Sequence, residues 1–182
     1  GFLRGQMGTE WATGLHVAGD DLIYLSTSTL EFISVNSSTI NSPRLYRAIT
    51  SGRALDSDLD YPFTYSGVNL ECLSPVHLTG DRHPSTNDWN LTWVRRSRYN
   101  GWRDLVDAPL GETSESYEID IFSSNTYTTL KRTLTSTTPT VAYTSANQVT
   151  DFGSNQSTLY LKIYQLSSLA GRGYPLTQSI TR

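Results

Sequence analysis

The run Asp88-Trp89-Asn90-Leu91-Thr92-Trp93-Val94-Arg95 sets a tryptophan in mid-strand among alternating side chains. Successive residues of a strand point to opposite faces, so Leu91 and Trp93 share one face and Thr92 and Val94 the other. Two later runs alternate in the same way. In Ser116-Tyr117-Glu118-Ile119-Asp120-Ile121-Phe122, the residues Tyr117, Ile119 and Ile121 share a face, and Glu118 and Asp120 are expected to face water. In Thr158-Leu159-Tyr160-Leu161-Lys162-Ile163-Tyr164, the three aliphatic residues oppose Tyr160, Lys162 and Tyr164. Stretches 73–78, 127–134, 140–143 and 176–180 complete a set of seven short strands. Gly80 to Asn87 is read as a turn, and a polar loop is read at 148–155. Seven strands at turn-bounded spacing predict an antiparallel β-sandwich. Its core is expected to hold Leu91, Trp93, Ile119, Ile121, Val141, Leu161 and Ile163.

Ahead of this body the signal is thinner. Residues 1–20 carry five glycines, which suit tight turns and close backbone approach. Residues 21–25 (DLIYL), 30–35 (LEFISV) and 45–50 (LYRAIT) read as strands, and 61–63 and 68–70 as extended chain. Asn36-Ser37-Ser38 reads as a turn, because short polar side chains can bond the nearby backbone. No sustained 3.6-residue apolar period favours helix in this part. The expectation is an all-β chain, with a short N-terminal β-domain segment over 1–72 and an antiparallel sandwich over 73–182.

The bulk numbers narrow the function classes. The hydrophobic fraction of 37% is low for a compact enzyme, while eleven Tyr and four Trp supply bulk for small cores. A net charge of −3 gives no footprint for nucleic acid, which requires clustered Lys and Arg. The one dense basic run, Arg95-Arg96-Ser97-Arg98, is expected to pair with Asp104, Asp107 or Glu112. Cys72 is the sole cysteine, so an internal disulfide and a Cys-rich zinc site are excluded. That suits a reducing compartment such as a bacterial cytoplasm. No apolar run approaches the ~20 residues of a membrane-spanning helix, and no signal-peptide core opens the chain. The chain starts at Gly1, consistent either with a removed Met or with a piece of a longer polypeptide.

Each candidate for chemistry has a structural explanation beside it. His16, His77 and His83 are scattered and read as surface or turn residues. Asp56-Ser57-Asp58-Leu59-Asp60 opens like a calcium loop, yet Tyr61 and Gly67 stand where such a loop needs Gly and a bidentate Glu. Gly1 to Gly8 lacks the Gly-Lys-Ser/Thr ending of a phosphate cradle. Glu112, Glu115, Glu118 and Asp120 could supply a carboxylate pair, but alternation places the last two on a solvent face. Asn36, Asn90 and Asn155 lie in Asn-x-Ser/Thr triplets, which matter only in a secreted eukaryotic protein. Tyr99, Trp102 and Trp89 could offer aromatic faces to a sugar, although a lone Trp more often lids a core edge. Loops on a fixed scaffold carry recognition, so Tyr99, Trp102, Asp104, Gln148 and Asn155 are the expected receptor contacts. No catalytic residue, metal site or cofactor is indicated.

The strand order, with Trp93 in mid-strand and the Leu169-Ala170-Gly171-Arg172-Gly173 ending, resembles a fibronectin type III module. A second resemblance covers nearly the whole chain. It is carried by Leu3-Arg4-Gly5-Gln6-Met7-Gly8-Thr9-Glu10, Leu73-Ser74-Pro75-Val76-His77-Leu78 and Leu91-Thr92-Trp93-Val94-Arg95-Arg96-Ser97-Arg98. Val106-Asp107-Ala108-Pro109-Leu110-Gly111-Glu112, Gln148-Val149-Thr150-Asp151-Phe152-Gly153 and Tyr164-Gln165-Leu166-Ser167 continue it. In this order the phrases resemble the C-terminal part of the baseplate or tail-tip hub proteins of siphophages and of the gene transfer agents of alphaproteobacteria. The resemblance implies a structural virion protein of the tail tip, assembled in the bacterial cytoplasm. It also implies a homotrimer among other tail-tip proteins, with the sandwich positioned towards a host surface glycan or receptor. No catalytic residue of that family has a matching position here. A carbohydrate-binding module using exposed aromatics is the alternative.

Overall fold

The computed structural model describes residues 4–5, 8–26, 28, 30, 33–55, 59–99 and 108–182. The chain divides into two compact units, His16–Leu70 and Gly1–Leu15 with Glu71–Arg182.

In the unit His16–Leu70, strands β1 (Pro43–Tyr46) and β2 (Tyr61–Thr64) pair antiparallel, with Pro43 opposite Thr64 and Tyr46 opposite Tyr61. Tyr46 and Phe63 meet edge to face at 6.1 Å. The expected turn at Asn36 is present: its Oδ1 accepts from the Ser38 N–H at 2.9 Å and starts a short 3-10 turn, Ser37–Thr39. Three expectations change. Residues 21–25 join no ladder, and the ladder expected at 45–50 runs from Pro43 to Tyr46 instead. Val68–Leu70 is a 3-10 turn rather than extended chain. A strand needs a partner for its N–H and C=O groups, and period-2 patterning says nothing of whether one is at hand. Residues 31–32, within the strand expected at 30–35, lie outside the described residues.

The larger unit is an antiparallel sandwich with the strand layout of a fibronectin type III-like fold. Its elements are β3 (Val76–Arg82), β4 (Trp89–Val94), β5 (Tyr117–Phe122), β6 (Leu130–Ser136), β7 (Thr140–Tyr143), α1 (Ser145–Phe152), β8 (Thr158–Ser167), β9 (Gly171–Arg172) and β10 (Leu176–Thr181). One sheet has the order β3-β4-β7 and the other β10-β8-β5-β6, with β9 added to the end of β8. The chain therefore changes sheets between β4 and β5, between β6 and β7, and between β7 and β8. The core lies between the layers. Trp89, Leu91, Tyr117, Ile119, Ile121, Tyr143, Leu161 and Ile163 are fully buried, and Trp93 and Leu159 nearly so. Trp93 meets Tyr117 edge to face at 5.1 Å. Val141, expected in the core, only flanks it.

The expected turn at 80–87 is shorter. The ladder continues to Arg82, because Gly80 is a point of close packing and not a bend. A Cβ there would stand 2.7 Å from Ile180 and 3.0 Å from Leu91. The strand expected from Tyr127 begins only at Leu130, and Tyr127 sits in a turn at φ +51°.

One helix interrupts the strands where a loop is expected. Thr144 caps α1, its side chain accepting from the Asn147 N–H, and Gly153 closes it in the left-handed region at φ +79°. Eight residues give barely two turns, too few for an apolar period to separate helix from loop.

Candidate functional site

The Arg95–Arg98 run is consumed locally. Arg96 Nε donates to Ser74 O at 2.7 Å, and its Nη1 reaches Glu10 Oε1 at 2.5 Å. Arg98 pairs with Glu112, one of the three acidic partners expected, and donates to Gly111 O at 2.9 Å. Arg95 Nε lies 3.9 Å from Glu115. These bonds tie the 95–98 strand exit to Ser74 and to the 108–115 segment. Trp11 stacks on Tyr174 at 5.3 Å, and Leu73 fills the space that a side chain at Gly8 would need. Burial beside Glu112 pushes the Cys72 thiol up to about 12, which keeps it a poor nucleophile.

Of the expected receptor contacts among the described residues, Tyr99 is the exposed one, 55% accessible, with Arg98 stacked 5.6 Å from its ring centre. Trp102 and Asp104, like the Asp56–Asp58 part of the calcium-like loop, lie outside the described residues. Gln148 is a correction: it is fully buried. Its Nε2 donates to Asn87 O at 2.8 Å and Tyr143 O at 3.2 Å, and its Oε1 accepts from the Gln156 N–H at 2.9 Å. It joins the β3–β4 turn, the end of β7 and the segment before β8, and presents nothing to a partner. Asn155 is half-buried and accepts from Ser145 Oγ at 2.7 Å. Trp89, weighed as a sugar platform, is also a core residue, and its indole N–H donates to Gln156 O at 3.1 Å.

A shallow depression of about 470 Å³ lies over the β3–β4 turn, lined by Asp81, Arg82, His83, Asp88 and Trp89. Two of its polar side chains serve the backbone. His83 Nδ1 accepts from the Ser85 and Thr86 N–H groups, and Asp88 Oδ1 accepts from the Ser145 N–H at 2.6 Å. The hydrogen bond from Ser145 holds the Asp88 carboxyl below the usual range. This is turn and helix-start chemistry. Among the described residues, no group of three His, Cys, Asp or Glu side chains is placed to hold a metal ion.

The outer face of the β10-β8-β5-β6 sheet is where unclaimed side chains gather, and here a second expectation changes. Glu118 faces outward as expected, but Asp120 is buried at 4% exposure. Arg172, from β9, folds over the sheet. Its Nη1 and Nη2 donate to the two Asp120 carboxylate oxygens at 2.7 and 3.1 Å, and its Nε donates to Glu118 at 2.6 Å. Thr133 Oγ1 also donates to Asp120 at 2.6 Å. Arg172 further stacks 4.4 Å from the Tyr164 ring centre. The carboxylates push the guanidinium pKa up, so this clamp stays charged.

The opposite end of this face is aromatic. Tyr127 stands edge to face with Phe122 at 5.8 Å and with Tyr160 at 6.3 Å, and Lys162 Nζ lies 5.3 and 5.8 Å from the Phe122 and Tyr127 ring centres. Tyr127 holds a left-handed backbone, which costs a bulky residue about 1–2 kcal/mol. Ring and cation–π contacts of about 0.5–1.5 kcal/mol each offset that cost. Sequence reading missed this group. The signals available were the outward alternation of Tyr160 and Lys162 and the Ser-Ser-Asn-Thr-Tyr-Thr-Thr turn composition. Neither says that the turn folds back over the strand.

No family model and no curated protein matches the chain. Among solved structures, domains d3–d4 of the rat CD45 extracellular region are similar over 92% of this chain and 78% of that one. The sequence identity is 12% and the TM-score 0.40, a likeness too loose to weigh on the reading. The fold assignment stands on the strand order and register above.

Proposed function

We propose that this chain is a non-enzymatic structural component of a phage tail tip or baseplate hub. Its sandwich is a rigid module held towards the host surface. The homotrimeric state, the virion location after assembly in the bacterial cytoplasm and the neighbouring tail-tip proteins all belong to the same proposal. The ordered run of hub-like phrases motivates it.

The observation that carries it is the apolar surface of the His16–Leu70 unit. Leu22, Ile23, Tyr24 and Leu25 are 73, 79, 84 and 66% exposed in succession. Tyr61, Phe63 and Val68 are each more than half exposed as well. Leaving one such side chain in water forgoes about 1.5–3 kcal/mol of burial, so four in succession are a strong incentive for a partner to cover them. A segment apolar on both strand faces is what a subunit contributes to a shared β-structure. In the sandwich, in contrast, Asp88, Arg96, Arg98, Asp120 and Gln148 are occupied in packing, capping and ion pairs, and the Cys72 thiol, which donates to Glu112 at 3.4 Å, is held protonated by burial.

The test pairs Ile23→Asp with Tyr24→Asp in one variant. The native chain should self-associate in sedimentation experiments and enter particles in threefold copy around the tail axis. The double variant should stay monomeric, keep the sandwich melting transition and be missing from particles. A native chain that remains monomeric and is absent from purified tails would refute the proposal.

A further inference from the structure

We propose that Tyr127, Tyr160 and Lys162 form a subsite for an anionic sugar ring on the outer face of the sandwich. This deepens the host-contact reading above and rests on it for the source of the glycan.

The argument starts from an unspent charge. Lys162 on β8 stands in register with Asp120 on β5, the position from which a carboxylate would normally neutralise it. Both oxygens of Asp120 are taken by Arg172, and one also by Thr133. Lys162 is left over the Phe122 and Tyr127 rings, with no salt bridge to a carboxylate among the described residues. An ammonium group beside aromatic rings whose neighbouring carboxylate is already claimed is a ready partner for an external anion.

The rings supply the second element. Phe122, 7% exposed, is the floor on which Tyr127 stands, and Tyr127 and Tyr160 are half-buried. A tyrosine at φ +51° occupies a place where glycine or asparagine would serve the turn alone. Strained positions that persist in a structure gather at binding sites. A pyranose offers a C–H face to such a ring, in keeping with the apolar body and polar tip of tyrosine.

Hydroxyl groups complete the patch. Ser124, Thr126 and Thr128 form a row, with Oγ separations of 2.8 and 3.0 Å, on either side of Tyr127. Across the ladder, Thr177 is opposite Lys162 and Ser179 opposite Tyr160, so small polar side chains border the rings. Hydroxyls both donate and accept, as sugar hydroxyls require. A nucleic acid is a poor fit, because one lysine does not make a phosphate track.

The experiment uses the full chain and two anionic probes, an oligosaccharide containing uronic acid and an oligomer of sugars joined by phosphate, beside a neutral oligosaccharide. Binding is read by calorimetry and by shifts of tyrosine ring resonances. Saturable binding of either anionic probe is expected, and which probe binds identifies carboxylate or phosphate as the recognised group. Lys162→Gln should weaken that binding about tenfold, the size of one charge-assisted hydrogen bond. Tyr127→Gly should abolish it while keeping the fold, since glycine suits the backbone there. Failure of both anionic probes to bind, equal binding of the neutral sugar, or full binding by Tyr127→Gly would overturn the subsite. Acidic-sugar binding by a chain absent from tails would sink the tail-tip proposal and leave this site standing. A tail component indifferent to both probes would do the reverse.

Discussion

Replacing Gln148 with methionine keeps the length and unbranched shape of the side chain and deletes its hydrogen bonds. Gln148 is fully buried, and its amide serves Asn87 O, Tyr143 O and the Gln156 N–H. Leaving a buried polar group unmade costs about 1–3 kcal/mol. The N–H of Gln156 and two carbonyls lose a partner together, so we expect a loss of about 3 kcal/mol even if one carbonyl is rescued by water. Against the ~5–15 kcal/mol that holds a domain of this size, such a loss lowers the melting temperature by roughly 10 °C. The buried Trp89 and Trp93 provide the signal, through fluorescence-monitored urea unfolding of the full chain. Gln148→Glu should be at least as harmful at neutral pH, because an ionised carboxylate cannot donate to two carbonyls. A change under about 1 kcal/mol for Gln148→Met would refute the claim that this residue ties the sandwich end together.

Four further outcomes can be measured on the same material. Trp93→Ala should cost about 3–5 kcal/mol by loss of transfer and packing energy, read in the same unfolding curves. Gly173→Ala should cost about 1–3 kcal/mol, because the new Cβ would stand 2.3 Å from the Cys72 backbone oxygen, which cannot swing aside like a side chain. Asp151, which accepts two bonds from Arg132 and one from the Tyr143 hydroxyl, is held below the usual carboxylate range chiefly by Arg132. A depressed folded pKa gives stability that is present above the unfolded value and lost as pH falls through the folded one. Asp151→Asn should therefore be less stable than the native chain at pH 7, and the gap between them should close in strong acid. Cys72 should resist thiol reagents at pH 8 in the folded chain and react on unfolding in urea, since burial keeps its thiol protonated.

The sandwich was legible because its signal is local. Leu91 and Trp93, then Ile119 and Ile121, then Leu161 and Ile163 announce their faces by spacing alone, and all are buried where that spacing puts them. The front unit misled for the same reason. The run from Leu22 to Leu25 has the composition of a strand, yet pairing depends on a neighbour that composition does not specify. Helix α1 escaped notice because eight residues are too short to declare a period, although Thr144 and Gly153 bracket it with the expected cap residues. Of the proposed contacts, Tyr99 is exposed where the sequence suggested, and Gln148 is not.

The amino-acid order by itself determined the all-β class, the strand sequence of the sandwich and which side of its three central strands, β4, β5 and β8, meets the core, because side-chain alternation is a property of neighbouring residues. Only the tertiary structure decided what happens on the other side. Arg172 reaches Asp120 across 52 residues of chain, buries a carboxylate that alternation assigned to water, and leaves Lys162 without its register partner. Which strands become neighbours is settled by the packing of the whole sandwich, so the charge and ring pattern of its outer face could not be read from any one segment.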